Sequence, residues 1–141
     1  MGKTRSLDVD DFARTIGRLV RRMRGAAAQH ELSLTESAVL ARLDNEGPAT
    51  TAELARAEGM RPQSMSAAVA TLEERGFIER KPHPSDGRQV NLALTPRGAA
   101  VRSSTKDLKR AWLAQMTAGL EDEERQILAR AGDILKRLLA P

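Results

Sequence analysis

Phe12, Ile16, Leu19, Val20, Met23 and Ala27 recur at three- and four-residue steps, which predicts an amphipathic helix from about Leu7 to His30. Ser33-Leu34-Thr35-Glu36 then forms a capping-box pattern ahead of Val39, Leu40 and Leu43, and Asn45-Glu46-Gly47-Pro48 stops this second, shorter helix. A second capping box, Thr50-Thr51-Ala52-Glu53, opens a third helix with Leu54 and Ala55 inward, ended by Gly59. Pro62 suits the first turn of a fourth helix, whose buried face is Met65, Val69 and Leu72 and whose end is Arg75-Gly76.

The period changes at that point. Phe77-Ile78-Glu79-Arg80-Lys81 and Gln89-Val90-Asn91-Leu92-Ala93-Leu94 read as two strands, the second alternating at Val90, Leu92 and Leu94. The turn between them rests on Asp86-Gly87, with Pro82 and Pro84 stiffening the approach. Thr95-Pro96 caps a fifth helix of about twenty residues with Val101, Leu108, Trp112 and Met116 on one stripe, broken at Gly119. Glu121 to Glu124 complement the dipole at the start of a sixth helix, in which Ile127, Leu128, Ala131, Leu135, Leu138 and Leu139 keep helical spacing.

Composition narrows the classes. Aromatics make up 2% of the 141 residues, so the core must be aliphatic, which suits helices. Without cysteine there is no disulfide, thiolate metal site, cysteine nucleophile or thiol redox sensor. The start of the chain lacks a secretory pattern and no segment is long enough to span a bilayer, so a soluble, cytoplasmic protein with no membrane partner is expected. Neither a phosphate-binding glycine loop nor a nucleophile elbow is present, so no enzyme is expected. His30 and His83 stand far apart, with no second ligand set, so neither metal nor cofactor is expected and each reads as a titrating surface histidine.

The net charge is +4, and its distribution matters more than its size. Residues 61–110 carry ten Lys and Arg against five Asp and Glu, whereas residues 32–60 carry two against five. A solvated surface and a nucleic-acid partner both fit such charges, and geometry separates them. Two helices, a basic-flanked helix and a hairpin follow the order of a winged helix-turn-helix, whose third helix enters the major groove. At 100° per residue, Gln63, Ala67, Ala70 and Glu74 lie opposite the buried face of the fourth helix, with Ser64, Ser66 and Thr71 flanking. Such short polar side chains let a helix sit deep in a groove. Arg88 would project from the hairpin tip into a minor groove, its guanidinium oriented by Asp86.

Here the residues resemble a family. Leu72-Glu73-Glu74-Arg75-Gly76-Phe77-Ile78-Glu79-Arg80, then Asp86-Gly87-Arg88, then Leu94-Thr95-Pro96-Arg97-Gly98 resemble the signature of MarR-type transcriptional regulators. Leu34-Thr35 and Thr51-Ala52-Glu53-Leu54-Ala55 open helices that fit the same pattern, so the resemblance covers nearly the whole chain.

The fold expected is mainly α with a small β-hairpin wing: one domain over 1–141, with a winged helix-turn-helix at 32–97 and dimerisation helices at 7–31 and 98–141. The resemblance implies a homodimer reading a pseudo-palindromic double-stranded DNA operator. Independently, apolar stripes at both ends exceed what a small winged helix can cover, unless a monomer packs its own ends together. Carried over by position, Arg61, Gln63, Ser64, Ser66 and Ala67 face the major groove, Arg88 the minor groove with Asp86 behind it, and Arg80 and Lys81 the phosphates. Arg75 is left between a DNA contact and an ion pair with Glu79 or Glu73.

Members of the family commonly repress genes and release DNA when a small, often aromatic ligand enters a cleft beside the dimerisation helices. Phe12, Ile16, Val39, Leu43, Leu108 and Trp112 lie on elements that could line it, with core packing the competing role for each. The absence of cysteine excludes the family's peroxide-sensing switch. The alternative function is a winged helix that binds DNA without sequence preference or binds protein.

Overall fold

A computed structural model describes residues 5–141. Its element order is α1 (Val9–Ala26), a 3-10 turn (Ala28–His30), α2 (Leu34–Glu46), α3 (Thr51–Ala57), α4 (Pro62–Glu74), β1 (Ile78–Pro82), β2 (Val90–Leu94), α5 (Pro96–Met116) and α6 (Asp122–Leu139). This is the mainly helical, winged helix-turn-helix fold expected from the sequence. The chain divides into two compact units, one up to Lys109 and one from Arg110 to Pro141, the boundary falling within α5.

Helix ends follow local chemistry. Asp8 caps α1 by accepting from the Asp11 N–H at 3.0 Å. Ser33 and Glu36 form both halves of a capping box, at 3.0 and 2.7 Å. At α3 only half of the expected box forms: the Thr50 hydroxyl accepts from the Glu53 N–H, but donates to the Glu53 carboxylate itself. The Glu121–Glu124 box opens α6 as the acidic run suggested. One boundary differs from expectation. The first helix does not run through to His30 but ends at Ala26, tightens into the 3-10 turn and leaves through Glu31, a non-glycine residue at φ 50° and ψ 42°. Ala27 is buried there, whereas α1 itself has no buried residue.

In the first unit the core gathers Val39, Leu40 and Leu43 from α2, Leu54 and Ala55 from α3, and Met65, Val69 and Leu72 from α4. Phe77, Ile78, Leu92 and Val101 close it. Arg42 ties α2 to α3 through Glu58 at 3.0 Å. The strands pair antiparallel with Ile78 opposite Leu94 and Pro82 opposite Val90. A third backbone segment joins them: Ala49 and Leu92 exchange both N–H to C=O bonds, at 3.1 and 2.8 Å. That bridge anchors the base of the wing to the α2–α3 connection, a pairing that one residue offers no periodicity to reveal.

Thr95 clamps the wing to α5. Its hydroxyl donates to the Gly76 carbonyl at 2.6 Å and accepts from the Gly98 N–H at 3.0 Å, while its own N–H donates to the Phe77 carbonyl. In the second unit, Thr117 bonds back to the Leu113 carbonyl and Arg125 to the Ala118 carbonyl, shaping the turn before α6. Ile127, Leu128, Ile134, Leu138 and Leu139 of α6 stay exposed.

Candidate nucleic-acid interface

The helix α4 is fixed from behind by three side chains, Met65, Val69 and Leu72, each at most 1% exposed. Burying that face turns the other outward. Gln63, Ser64, Ser66, Ala67 and Ala70 are all exposed, and none is longer than glutamine. Thr71 is exposed too, but its hydroxyl donates to the Ala67 carbonyl within the helix. Arg61 occupies the N-cap with its side chain uncommitted to capping, beside Pro62 in the first turn. The outward face therefore presents one amide, two hydroxyls, two methyls and a flanking cation, a set able to bond base edges and phosphates and to touch thymine methyls.

The wing tip is built by hydrogen bonds to two side chains. Asp86 Oδ1 accepts from the Arg88 N–H at 3.0 Å, and the Gln89 N–H closes the turn onto the Asp86 carbonyl. The Arg88 side chain is 95% exposed, and its Nε lies 3.6 Å from Asp86, so the carboxylate shapes the turn more than it orients the guanidinium. The expected pairing of Asp86 with the guanidinium is present as this ion pair, beside the hydrogen bond to the backbone. His83 supplies the other half: its Nδ1 accepts from the backbone N–H groups of Ser85 and Asp86, each at 3.2 Å. The sequence suggested only a surface histidine, because the turn closes over three residues of unremarkable polarity.

The cations behind the wing are partly spent. Arg80 donates to both oxygens of Glu73 at 3.1 and 2.9 Å, and Lys81 lies 3.4 Å from Glu79. Both keep about half of their side-chain surface exposed, at 52% and 59%. An open groove of about 550 Å³ between the start of α3 and the wing is lined by Thr50, Thr51, Glu53, Arg56, Arg80 and Gln89. Arg56 was not singled out from the sequence, since a lone cation on a seven-residue helix carries no pattern.

This geometry can be set beside known proteins. A family model described as MarR family matches residues 32–90, the span from just before α2 to the start of β2. An uncharacterized HTH-type transcriptional regulator of Mycobacterium leprae is 35% identical over 129 residues, covering 92% of this chain and 90% of that protein. The chain belongs to the MarR family. An HTH-type transcriptional repressor of Mycobacterium tuberculosis is 32% identical over 105 residues, covering 72% of this chain and 76% of its own length. A crystal structure from Mycobacterium tuberculosis superposes with a TM-score of 0.82 at 28% identity, over 97% of both chains. A MarR family protein from Bacillus stearothermophilus shares the fold, with a TM-score of 0.81 at 20% identity over 94% and 93% of the two chains. The MarR chain described here is a transcriptional regulator and not an enzyme. No helix of the described residues is long and apolar enough to cross a membrane.

Three readings of this MarR chain change with the structure. Arg75 pairs with neither Glu73 nor Glu79, which hold Arg80 and Lys81; it donates to the carbonyls of His30 and Glu31 and lies 4.8 Å above the Phe77 ring. Val39 and Leu43, expected on a ligand cleft, are 0% and 4% exposed in the winged-helix core, with no surface left for a ligand. Phe12 and Ile16 lie on the exposed stripe of α1, and Leu108 and Trp112 are half-buried on α5. The cavity that does exist near these helices is lined by none of the six. It measures about 270 Å³, and three cations, Arg21, Arg24 and Lys109, face it together with Glu31, Leu32 and Ser37. No single stretch announces it, because its cations come from positions 85 residues or more apart on α1 and α5.

Burial first, then the charges of Arg102 and Arg24, push the Lys109 ammonium down from the lysine value of 10.5. The unfolded chain thus holds this proton more tightly than the folded one, so stability rises with pH between the folded-state value and 10.5. Lys109→Met is expected to raise the urea midpoint at neutral pH and to flatten the rise expected as the pH climbs toward 10.5. A lower midpoint at neutral pH would mean that packing of the lysine stem outweighs the relieved repulsion.

Proposed function

We propose that the protein is a sequence-specific double-stranded DNA-binding regulator that acts in the cytoplasm as a homodimer on an inverted repeat. The observation that carries this reading is the pairing of a short-side-chain polar face on α4 with an almost fully exposed Arg88 at the wing tip. In this reading α4 is the recognition helix: Gln63, Ser64, Ser66 and Ala67 read base edges, Arg61, Arg80 and Lys81 hold phosphates, and Arg88 enters the minor groove. Residues 32–97 carry DNA binding and the flanking helices carry dimerisation. Exposed apolar side chains on α1 (Val9, Phe12, Ile16, Leu19) and on α6 support a second copy as the cover for these helices. Repression is consistent with the M. tuberculosis relative, which is named a repressor, and its relief by a small ligand is proposed with it.

The test is selection of fragmented genomic DNA on the purified protein at about physiological salt, where non-specific affinity collapses and specific sites persist. One inverted-repeat motif is expected, with half-sites about one helical turn apart. On that motif Gln63→Ala should relax preference at one base pair per half-site by roughly tenfold. Arg88→Ala should instead weaken all sequences alike and lower the salt slope by about one per subunit. Recovery of the genome without enrichment would overturn the reading in favour of an architectural binder, and no duplex binding at all in favour of a protein-interaction module.

A further inference from the structure

His83 to Gln89 join the two strands beyond the last ladder pair, Pro82 with Val90. A loop of this length keeps one shape only if its own polar groups find partners. They do so in a closed circuit of hydrogen bonds that starts at an imidazole. Nδ1 of His83 accepts from the backbone N–H groups of Ser85 and Asp86, each at 3.2 Å, and the Ser85 hydroxyl lies at 3.2 Å as well. Asp86, placed in this way, accepts on Oδ1 from the Arg88 N–H and on its carbonyl from the Gln89 N–H, both at 3.0 Å. The Gln89 carbonyl closes the circuit by accepting from the His83 N–H at 3.2 Å.

A backbone N–H can only donate, so these bonds fix the form of the ring: Nδ1 is unprotonated, and the proton of the neutral imidazole is on Nε2. A proton added to Nδ1 would face two backbone N–H groups. Of the three partners only the Ser85 hydroxyl can reverse its role and accept, while the two backbone donors are left opposed. Imidazole is the side chain that changes charge between about pH 8 and about pH 5, so the loop rests on an acceptor that acid removes. The charged groups around the loop are Asp86 and Arg88 within it, and Arg80 and Lys81 on β1 with their partners Glu73 and Glu79. From α3, Glu53 and Arg56 line the groove that Gln89 and Val90 also line, and β2 has no charged residue.

We propose that His83 is a positioning residue for Arg88: its neutral ring holds the loop in the form that presents the arginine, and protonation of the ring releases it. The inference rests on the wing being a DNA contact, as argued under Proposed function. The Arg88 side chain is 95% exposed, so its direction is set by the backbone beneath it and by the ion pair with Asp86. Both depend on where the ring places Asp86. A wing that presents Arg88 for only part of the time binds more weakly by that fraction, and in the proposed dimer the factor enters once for each wing. The opposite sign belongs to a histidine that touches DNA itself, since a cationic ring would add a phosphate contact and acid would tighten binding.

The experiment takes the full chain, isotope-labelled for NMR, from about pH 8 to about pH 5.5, the interval over which imidazole changes charge. The ring nitrogen shifts should show Nδ1 of His83 unprotonated at the upper end, and the amide signals of Ser85, Asp86 and Arg88 should follow its protonation; neither reading needs DNA. In parallel, affinity for a selected duplex is measured at constant ionic strength. On acidification wild type should lose about tenfold more than His83→Asn, whose amide oxygen accepts from the same N–H groups without titrating. His83→Ala, which removes the acceptor, should bind at about pH 8 as weakly as wild type does at about pH 5.5. In an Arg88→Ala background the difference between His83 and His83→Asn should vanish, because the ring acts through Arg88. A merely structural role would shift affinities without this pH-dependent difference. If His83→Asn does not fold, an acid loss in wild type that Arg88→Ala abolishes takes its place. Four results overturn the proposal: Nδ1 protonated at the upper end, loop amides that stay put as the ring titrates, an acid loss no larger than in His83→Asn, or a loss that survives Arg88→Ala. Loop amides that follow the ring in a protein that binds no duplex sink the DNA-binding function and not the hold of His83 on the wing.

Discussion

Replacing Gly98 by alanine is expected to destabilise the protein by at least about 3 kcal/mol, a large fraction of the roughly 5–15 kcal/mol that holds a domain of this size together. Helix propensity alone gives the opposite sign, since alanine within a helix is favoured over glycine by about 1 kcal/mol. The structure decides between them. Gly98 is buried in the first turn of α5 with its Cα against the backbone of Phe77, and an added Cβ would stand 2.8 Å from the Phe77 carbonyl carbon and inside the contact radius of its oxygen. Backbone on both sides leaves nothing flexible to yield. The clash also falls where the Thr95 hydroxyl and N–H bind Gly76 and Phe77, so relief by shifting α5 would break those bonds. Gly76→Ala is the internal comparison: φ is 79° there, and an added Cβ would meet only the flexible end of Arg97 at an ordinary 3.8 Å, so the cost should stay at about 1–2 kcal/mol. Urea denaturation of both variants gives the contrast, and a Gly98→Ala protein as stable as wild type would show that α5 does not pack on the wing turn as described.

The double variant Leu128→Asp with Ile134→Asp is expected to sediment as a monomer and to lose about a hundredfold or more in operator affinity, while its far-ultraviolet circular dichroism stays that of wild type. Both side chains are about half exposed in the single chain, at 53% and 45%, so charge there costs the isolated fold little. In the proposed homodimer the same positions would be covered, and two unpaired carboxylates per subunit would oppose association strongly. Loss of one winged helix from the complex then removes the avidity of two half-sites, though neither residue touches DNA. A variant that stays dimeric would place the subunit contact away from this face of α6 and return the exposed apolar stripe to some other partner.

Much of the fold is legible along the chain because its signals are local. The Ser33 and Glu121 caps, the first-turn proline of α4 and the Met65, Val69, Leu72 stripe each need only a few neighbouring residues to declare an element. The outward face of α4 follows by subtraction, which is why Gln63, Ser64, Ser66 and Ala67 were already candidates. Errors entered wherever a polar group chose among distant partners. Arg75 had Glu73 and Glu79 close by, yet two carbonyls beyond α2 offered a partly buried seat over Phe77; the nearby carboxylates were taken by Arg80 and Lys81. Val39 and Leu43 read equally well as core or as cleft, since hydrophobic periodicity reports which face is buried and not what buries it.

The sequence by itself determined the helices, the wing, the family and the polar outward face of α4, because caps, turns and periodicities act within about four residues. Tertiary structure alone decided three things: the seat of Arg75, the cationic cavity shared by α1 and α5, and the need for glycine at position 98. Each depends on atoms brought together across twenty-one to eighty-eight positions of chain, where neither propensity nor spacing has any reach.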